Sequence, residues 1–359
     1  MACLWATRYE LLRTLMVWPR MNAPVPAIDP LAEITARLRL AVQRRFGAQA
    51  AIDRIEVATL GGSNRTLLFD LVEGAARRRL VFRQETYRLP NSPFIPPHPQ
   101  FRLLQIAERH GVPVPAPVFE FEPEDELDRG YVVGYVAGET LPRRLLLDAK
   151  FAPARAIFCA QAGEILGRLH SVDPAAAAFL AETPDSQDPL AAQLARLDYY
   201  GEAHPALELA VRWLERHRPS APRRVLLHGD FRNGNMIMGP EGIRAVLDWE
   251  CSHLGAPMED LGWLCLRSWR FGHHDLPVGG MGQRAEFYAA YAQASGYAVD
   301  PDEVRWWEIF GFVRWMVLNI MQVHGHWSGE RRSPAFAACG RNTCLIEYEL
   351  LMTLLGHYA

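Results

Sequence analysis

The spacing of apolar and polar positions divides the chain into a strand-rich first third and a helix-rich remainder. Leu31, Ile34, Leu38 and Val42 recur at helical spacing, and Gly47 closes a helix predicted over 31–46. Strand patterns follow over 52–60, 66–72 and 80–83, with Gly61-Gly62-Ser63-Asn64 turning the chain between the first two. A helix over 100–110 precedes strands over 118–121 and 131–136. Beyond residue 138 the period becomes helical, predicting helices over 151–170, 190–200, 205–217, 259–269, 283–295, 302–322 and 334–357, with 173–188 a loop. Three short apolar runs interrupt this helical part, at 225–227, 236–238 and 243–247. The Gly239-Pro240-Glu241-Gly242 turn joins the last two as a hairpin.

At 359 residues this order predicts an α+β fold of two unequal lobes. A sheet-bearing N-lobe is expected over 31–136 and a mainly helical C-lobe over 137–359, the boundary lying near 134–138. Residues 1–30 read as a poorly ordered extension. In its first 21 residues Arg8, Glu10 and Arg13 interrupt every apolar run, which argues against a membrane span and a secretory signal. An amphipathic surface helix is one reading of this segment; translation starting near Met21 is the preferred one. The chain is 49% hydrophobic and 22% charged, as packed soluble enzymes are. A net charge of −3 supplies no broad basic field for nucleic acid. Six scattered cysteines form neither a disulfide framework nor a zinc pattern, and Cys251-Ser252-His253 lacks a second ligand pair; a reducing cytoplasm is the natural setting.

The chemistry concentrates in 225–264, VLLHGDFRNGNMIMGPEGIRAVLDWECSHLGAPMEDLGWL. Asp230 and Asn235 follow the first short strand, and Asp248 follows the third. Taken singly, each is an ordinary turn or capping residue. Together, two carboxylates and an amide oxygen delivered to one mouth suit a hard divalent cation such as Mg²⁺. Phosphoryl transfer needs little more than such a metal and a base for the hydroxyl proton.

HGDFRNGN, then VLDWE, then PMEDLGW resembles the aminoglycoside phosphotransferase-like family of small-molecule kinases, and within it the kinase-like domains related to those fused to some acyl-CoA dehydrogenases. The resemblance implies a bilobal protein-kinase-like fold and Mg²⁺-assisted transfer of the γ-phosphoryl group of ATP or GTP to a small-molecule alcohol, a hydroxyacyl-type or other metabolite. It implies Asp230 as base, Asn235 and Asp248 as magnesium ligands, and His228 as a loop-shaping residue. Asp260 would hold the loop through backbone N–H groups, and Arg232 is a candidate phosphate contact.

On the same resemblance Gly61, Gly62, Ser63 and Asn64 would cover the nucleotide phosphates, and Val136 would lie where the base meets the connector between lobes. Arg83 stands where kinases carry the phosphate-binding Lys, and Gln100 stands where they carry its Glu partner; an amide there can accept a hydrogen bond from Arg83 without adding charge. Those two departures favour a rival reading, a catalytically inactive nucleotide-binding regulator. His170 is expected at a helix C-terminus, favourably placed against the dipole. Arg314, Asn319, His324 and His326 are open between acceptor contact and plain packing.

Overall fold

The computed structural model describes residues 30–58, 64–86, 88, 91–220 and 223–358. The extension up to residue 29, and the phosphate-covering positions Gly61, Gly62 and Ser63, lie outside the described residues.

Five antiparallel strands form the sheet of the first part: β1 (Ala51–Val57), β2 (Asn64–Glu73), β3 (Ala76–Glu85), β4 (Pro117–Glu120) and β5 (Gly130–Gly134), in the order β1-β2-β3-β5-β4. Helix α1 (Pro30–Phe46) lays Leu38, Ala41 and Val42 against Leu67, Phe69, Leu71 and Phe82, all fully buried. β3 begins at Ala76, four residues earlier than its apolar run, because Arg77, Arg78 and Arg79 are paired rather than free. Arg77 meets Asp53 at 2.9 Å, Arg78 meets Glu73 at 2.8 Å and Arg79 meets Glu56 at 2.7 Å. Such opposite-charge neighbours favour strand pairing that a local apolar pattern does not reveal. Helix α2 (Pro97–Arg109) buries Phe101, Leu103, Leu104 and Ile106.

The second part is helical: α3 (Phe158–His170), α4 (Pro189–Tyr200), α5 (Pro205–Arg216), α6 (Met258–Cys265), α7 (Arg284–Ser295), α8 (Pro301–Trp327) and α9 (Pro334–Leu354). α3 and α7 approach so closely that a Cβ on Gly163 would stand 2.7 Å from the carbonyl oxygen of Phe287. α8 continues past 322 to Trp327, with Gly329 the first glycine after its end. The loop expected over 173–188 instead holds a 3-10 helix, Pro174–Leu180, started by the Asp173 carboxylate accepting from Ala175 N, and a short helix, Pro184–Gln187. β7 (Met236–Gly239) and β8 (Gly242–Val246) form the expected hairpin. β6 (Val225–Leu227) pairs antiparallel with a strand the periodicity did not mark, β9 (His253–Gly255), whose three residues are too few to show a period. Among the described residues no helix is long and apolar enough to cross a membrane.

Asp125 ties α1 to the far edge of this sheet. Its side chain is buried, accepts from Glu122 N at 2.9 Å, receives Arg45 at 2.7 and 2.9 Å on its two oxygens, and also pairs with Arg44. Burial opposes its charge, but these donors outweigh burial and lower its pKa to about 2. A depressed carboxylate adds stability above its ordinary pKa of 3.8, and that stability is lost as pH falls towards about 2. Asp125→Asn is therefore expected to cost about 2 kcal/mol at pH 7, with the gap from the unaltered protein closing below pH ~4 in urea titrations.

Candidate active site

The loop from His228 to Asn235 leaves β6 and re-enters at β7. Its first turn depends on Gly229, at φ +77°, where a Cβ would lie 2.2 Å from the carbonyl oxygen of Cys251. Asp260, in the first turn of α6, holds that turn from below: Oδ2 accepts from His228 N and Oδ1 from Gly229 N, each at 2.8 Å. His170 adds a third contact at 3.2 Å and reaches the Tyr291 hydroxyl at 3.0 Å through its other nitrogen. It is fully buried as the last residue of α3, the helix C-terminus expected for it, and there it bridges Asp260 and Tyr291. Burial alone would raise the Asp260 pKa; the His170 contacts reverse that and hold the carboxyl below its usual range.

His228 is also fully buried, and burial depresses its pKa. Nδ1 accepts from Asp230 N at 3.1 Å, which puts the proton on Nε2, donated to the carbonyl of Leu247 at 2.9 Å. With both nitrogens engaged, His228 shapes the loop and is not placed to carry a proton.

Asp230 is held at both oxygens. Oδ1 accepts from Arg232 Nε at 3.0 Å and Trp263 Nε1 at 2.8 Å, and Oδ2 accepts from Asn235 Nδ2 at 2.5 Å. Asn235 Nδ2 also donates to the Asp230 carbonyl at 3.1 Å, which turns its Oδ1 away as the remaining acceptor. Asp248 arrives beside it because Leu247 N bonds the carbonyl of Asn235 at 2.7 Å. Asp248 itself has φ +60°, a left-handed conformation that Asp tolerates better than most side chains and that re-aims the chain straight after β8.

A cleft of about 640 Å³ lies between the sheet and this loop. Asn64, Arg83, Val136, Arg232 and Asp248 line it, joined by apolar walls such as Leu68 and Val246. Arg83 reaches Asp248 at 2.7 Å. Burial works against both charges, yet the pairing prevails, lowering the Asp248 pKa and raising that of Arg83. Glu250 completes the group, with Asn64 Nδ2 at 3.4 Å from its Oε2. Burial first, then repulsion from Asp248, pushes its carboxyl up to about 7.

Gln100 requires a correction. Its amide donates to the carbonyl of Ile95 at 2.8 Å and accepts from the Tyr131 hydroxyl at 3.1 Å, so it neither contacts Arg83 nor lines the cleft. Arg83, lacking a charged partner on α2, turns to Asp248 instead. Arg232 takes its place in the cleft, stacked 4.5 Å over the Trp269 ring. Arg314 and Asn319 are buried and occupied, by Glu259 at 3.2 Å and by Trp315 O at 2.7 Å respectively, which is packing. His326 Nδ1 accepts from Ser333 N at 3.0 Å. Two contributors escaped the sequence reading, Trp263 and Glu250. The first ends the DLGW run and the second stands two residues beyond Asp248, so position was their only signal. Among the described residues no three His, Cys, Asp or Glu side chains gather as a metal site, so a cation here needs the Asn235 amide and oxygens from a ligand.

A family model described as the phosphotransferase enzyme family matches residues 54–307. The acyl-CoA dehydrogenase family member 10 of Mus musculus is 32% identical over 218 residues, 57% of this chain and 20% of that protein. Family member 11 of Rattus norvegicus is 32% identical over 124 residues, 30% of this chain and 15% of that protein. The chain thus spans a fifth or less of the length of these relatives. A crystal structure from Ralstonia eutropha, provisionally described as an aminoglycoside phosphotransferase, superposes with a TM-score of 0.69 at 23% identity, over 89% of this chain and 97% of that one. A choline/ethanolamine kinase family protein from Mesorhizobium loti gives 0.55 at 17% identity, over 89% and 95%. At these identities the structures share the bilobal kinase-like fold.

The loop's dependence on Asp260 is open to direct measurement. Replacing a buried carboxylate that satisfies two backbone donors leaves those donors unpaired. Asp260→Ala is expected to lower unfolding free energy by about 3–5 kcal/mol in urea titration, whereas surface Glu164→Ala is expected to change it by less than about 1 kcal/mol.

Proposed function

The chain belongs to the phosphotransferase enzyme family, and on that footing we propose that it transfers the γ-phosphoryl group of ATP or GTP to a hydroxyl of a small metabolite alcohol, with Asp230 as base. The observation that carries this reading is that Arg83 and Asp248, paired at 2.7 Å, line one cleft beneath the sheet, and that Asp230 and Asn235, hydrogen-bonded to each other, sit on the loop whose Arg232 and Gly234 line the same cleft. The nucleotide base would enter against Val136, and Asn64, with Gly61, Gly62 and Ser63 before it, would face the phosphates. Arg83 would leave Asp248 for the phosphates, where a planar guanidinium can bind two oxygens at once. Asn235 Oδ1 and the Asp248 carboxylate, both hard oxygens and the latter held ionised, fit a magnesium ion. That ion would supply positive charge against the phosphates as the bond to the leaving group breaks.

Asp230 orients the acceptor hydroxyl and takes its proton late, so catalysis rests mainly on positioning and charge neutralisation. Arg232, on the cleft wall, is close enough to Asp230 to link the base with a phosphate oxygen. A second reading, a nucleotide-binding regulator without turnover, draws on one observation: Arg83 occupies Asp248 while Gln100 is turned to Tyr131.

Two substitutions separate the readings. Asp230→Asn should reduce turnover by about two or more orders of magnitude while nucleotide still binds, and Asp248→Ala should abolish the magnesium dependence of nucleotide binding by calorimetry. A metabolite screen with labelled ATP should yield a product heavier by one phosphoryl group. Magnesium-dependent thermal stabilisation by nucleotide with no such product would support the regulator.

A further inference from the structure

Trp263 is the donor to Asp230 that neither charge nor catalysis explains. Its indole N–H lies 2.8 Å from Asp230 Oδ1, and its side chain is buried among Trp269 at 5.3 Å, Trp315 at 6.5 Å and the Arg314 guanidinium 5.2 Å over its ring. The other donor to Oδ1, Arg232, is 22% exposed on the cleft wall, where its guanidinium also donates to the Asn233 carbonyl at 3.3 Å and stacks over Trp269. A carboxylate oxygen has two in-plane lone pairs. On Oδ1 both are taken, whereas among the described residues Oδ2 gives one to Asn235 and keeps one open.

We propose that Trp263 is a positioning residue that fixes the Asp230 carboxylate so that Oδ2, and not Oδ1, faces the acceptor hydroxyl. This rests on the assignment of Asp230 as base. In the step it serves, the acceptor oxygen bonds the γ-phosphorus, its proton moves to Oδ2, and the bond from phosphorus to the leaving diphosphate breaks with the electron pair staying on the diphosphate. Arg232 Nε and the indole together keep Oδ1 closed to the hydroxyl during this step, and the indole is clamped by its neighbours. The ring packing supplies rigidity and the N–H supplies direction.

Phenylalanine keeps an aromatic ring in the slot and deletes the N–H. The probe is MgATP with water standing in for the acceptor, followed by ADP release. Trp263→Phe is expected to lower kcat roughly 10- to 100-fold with KM for ATP unchanged within about twofold. The double variant with Asp230→Asn is expected to be no slower than Asp230→Asn alone, since the indole acts only through that carboxylate. If Trp263→Phe keeps full kcat while Asp230→Asn is inactive, the positioning role is overturned and the base stands. If Asp230→Asn also keeps full kcat, the base assignment fails instead. Should Trp263→Phe not fold, ¹⁵N-indole NMR of the folded Asp230→Asn protein decides: one tryptophan Hε1 resonance shifting upfield supports the contact, and no shift overturns it.

Discussion

A carboxylate removed from water stays ionised only where fixed donors replace the lost hydration, and Asp260 is where this fold meets that requirement. Its two oxygens accept the consecutive N–H groups of His228 and Gly229, so one side chain on α6 dictates the path of the loop leaving β6. His170 on α3 braces the same carboxylate and connects it to the Tyr291 hydroxyl on α7. Three helices are thereby committed to this turn, which Phe231, fully buried three residues after His228, also fastens to the core. Gly229 is the complementary concession, since its backbone conformation and the nearby Cys251 carbonyl leave no room for a Cβ.

From that anchored turn the remaining geometry follows in short steps. His228, neutral and fully enclosed, links the turn to Leu247, the residue before Asp248. Asn235 links Asp230 to the same place through the Leu247 amide. The two acidic groups are therefore set relative to each other by hydrogen bonds of the backbone and of neutral side chains. At the cleft surface Arg83 compensates Asp248, and Glu250 sits with a carboxyl pushed up to about 7 by burial and by its neighbour. On the proposed function, an anion arriving with its own cation would give Arg83 phosphate oxygens and release Asp248 to a metal.

The order of strands and helices was legible because each long element carries its own period, and α8 or β2 needs no distant partner to announce itself. The edges of β3 and the pairing of β6 were not legible, since the first depends on acidic partners such as Asp53 and Glu56 and the second on a strand of three residues. His170 and Gln100 illustrate the same limit at the site. Each was placed on the correct helix, but the Asp260 carboxylate lies 90 residues from His170 and the Tyr131 hydroxyl lies 31 from Gln100.

By itself, the sequence determined where the candidate groups stand along the chain: Asp230, Asn235 and Asp248 at the ends of short apolar runs, a combination whose spacing already implied two strands meeting at a mouth. Tertiary structure alone decided their partners. It assigned Arg83 to Asp248, turned Gln100 away, and brought the Trp263 indole to Asp230 across 33 residues. The reason is physical. Periodicity is a property of one segment and its solvent, whereas a hydrogen bond of 2.8 Å between distant side chains exists only after packing has fixed both rotamers.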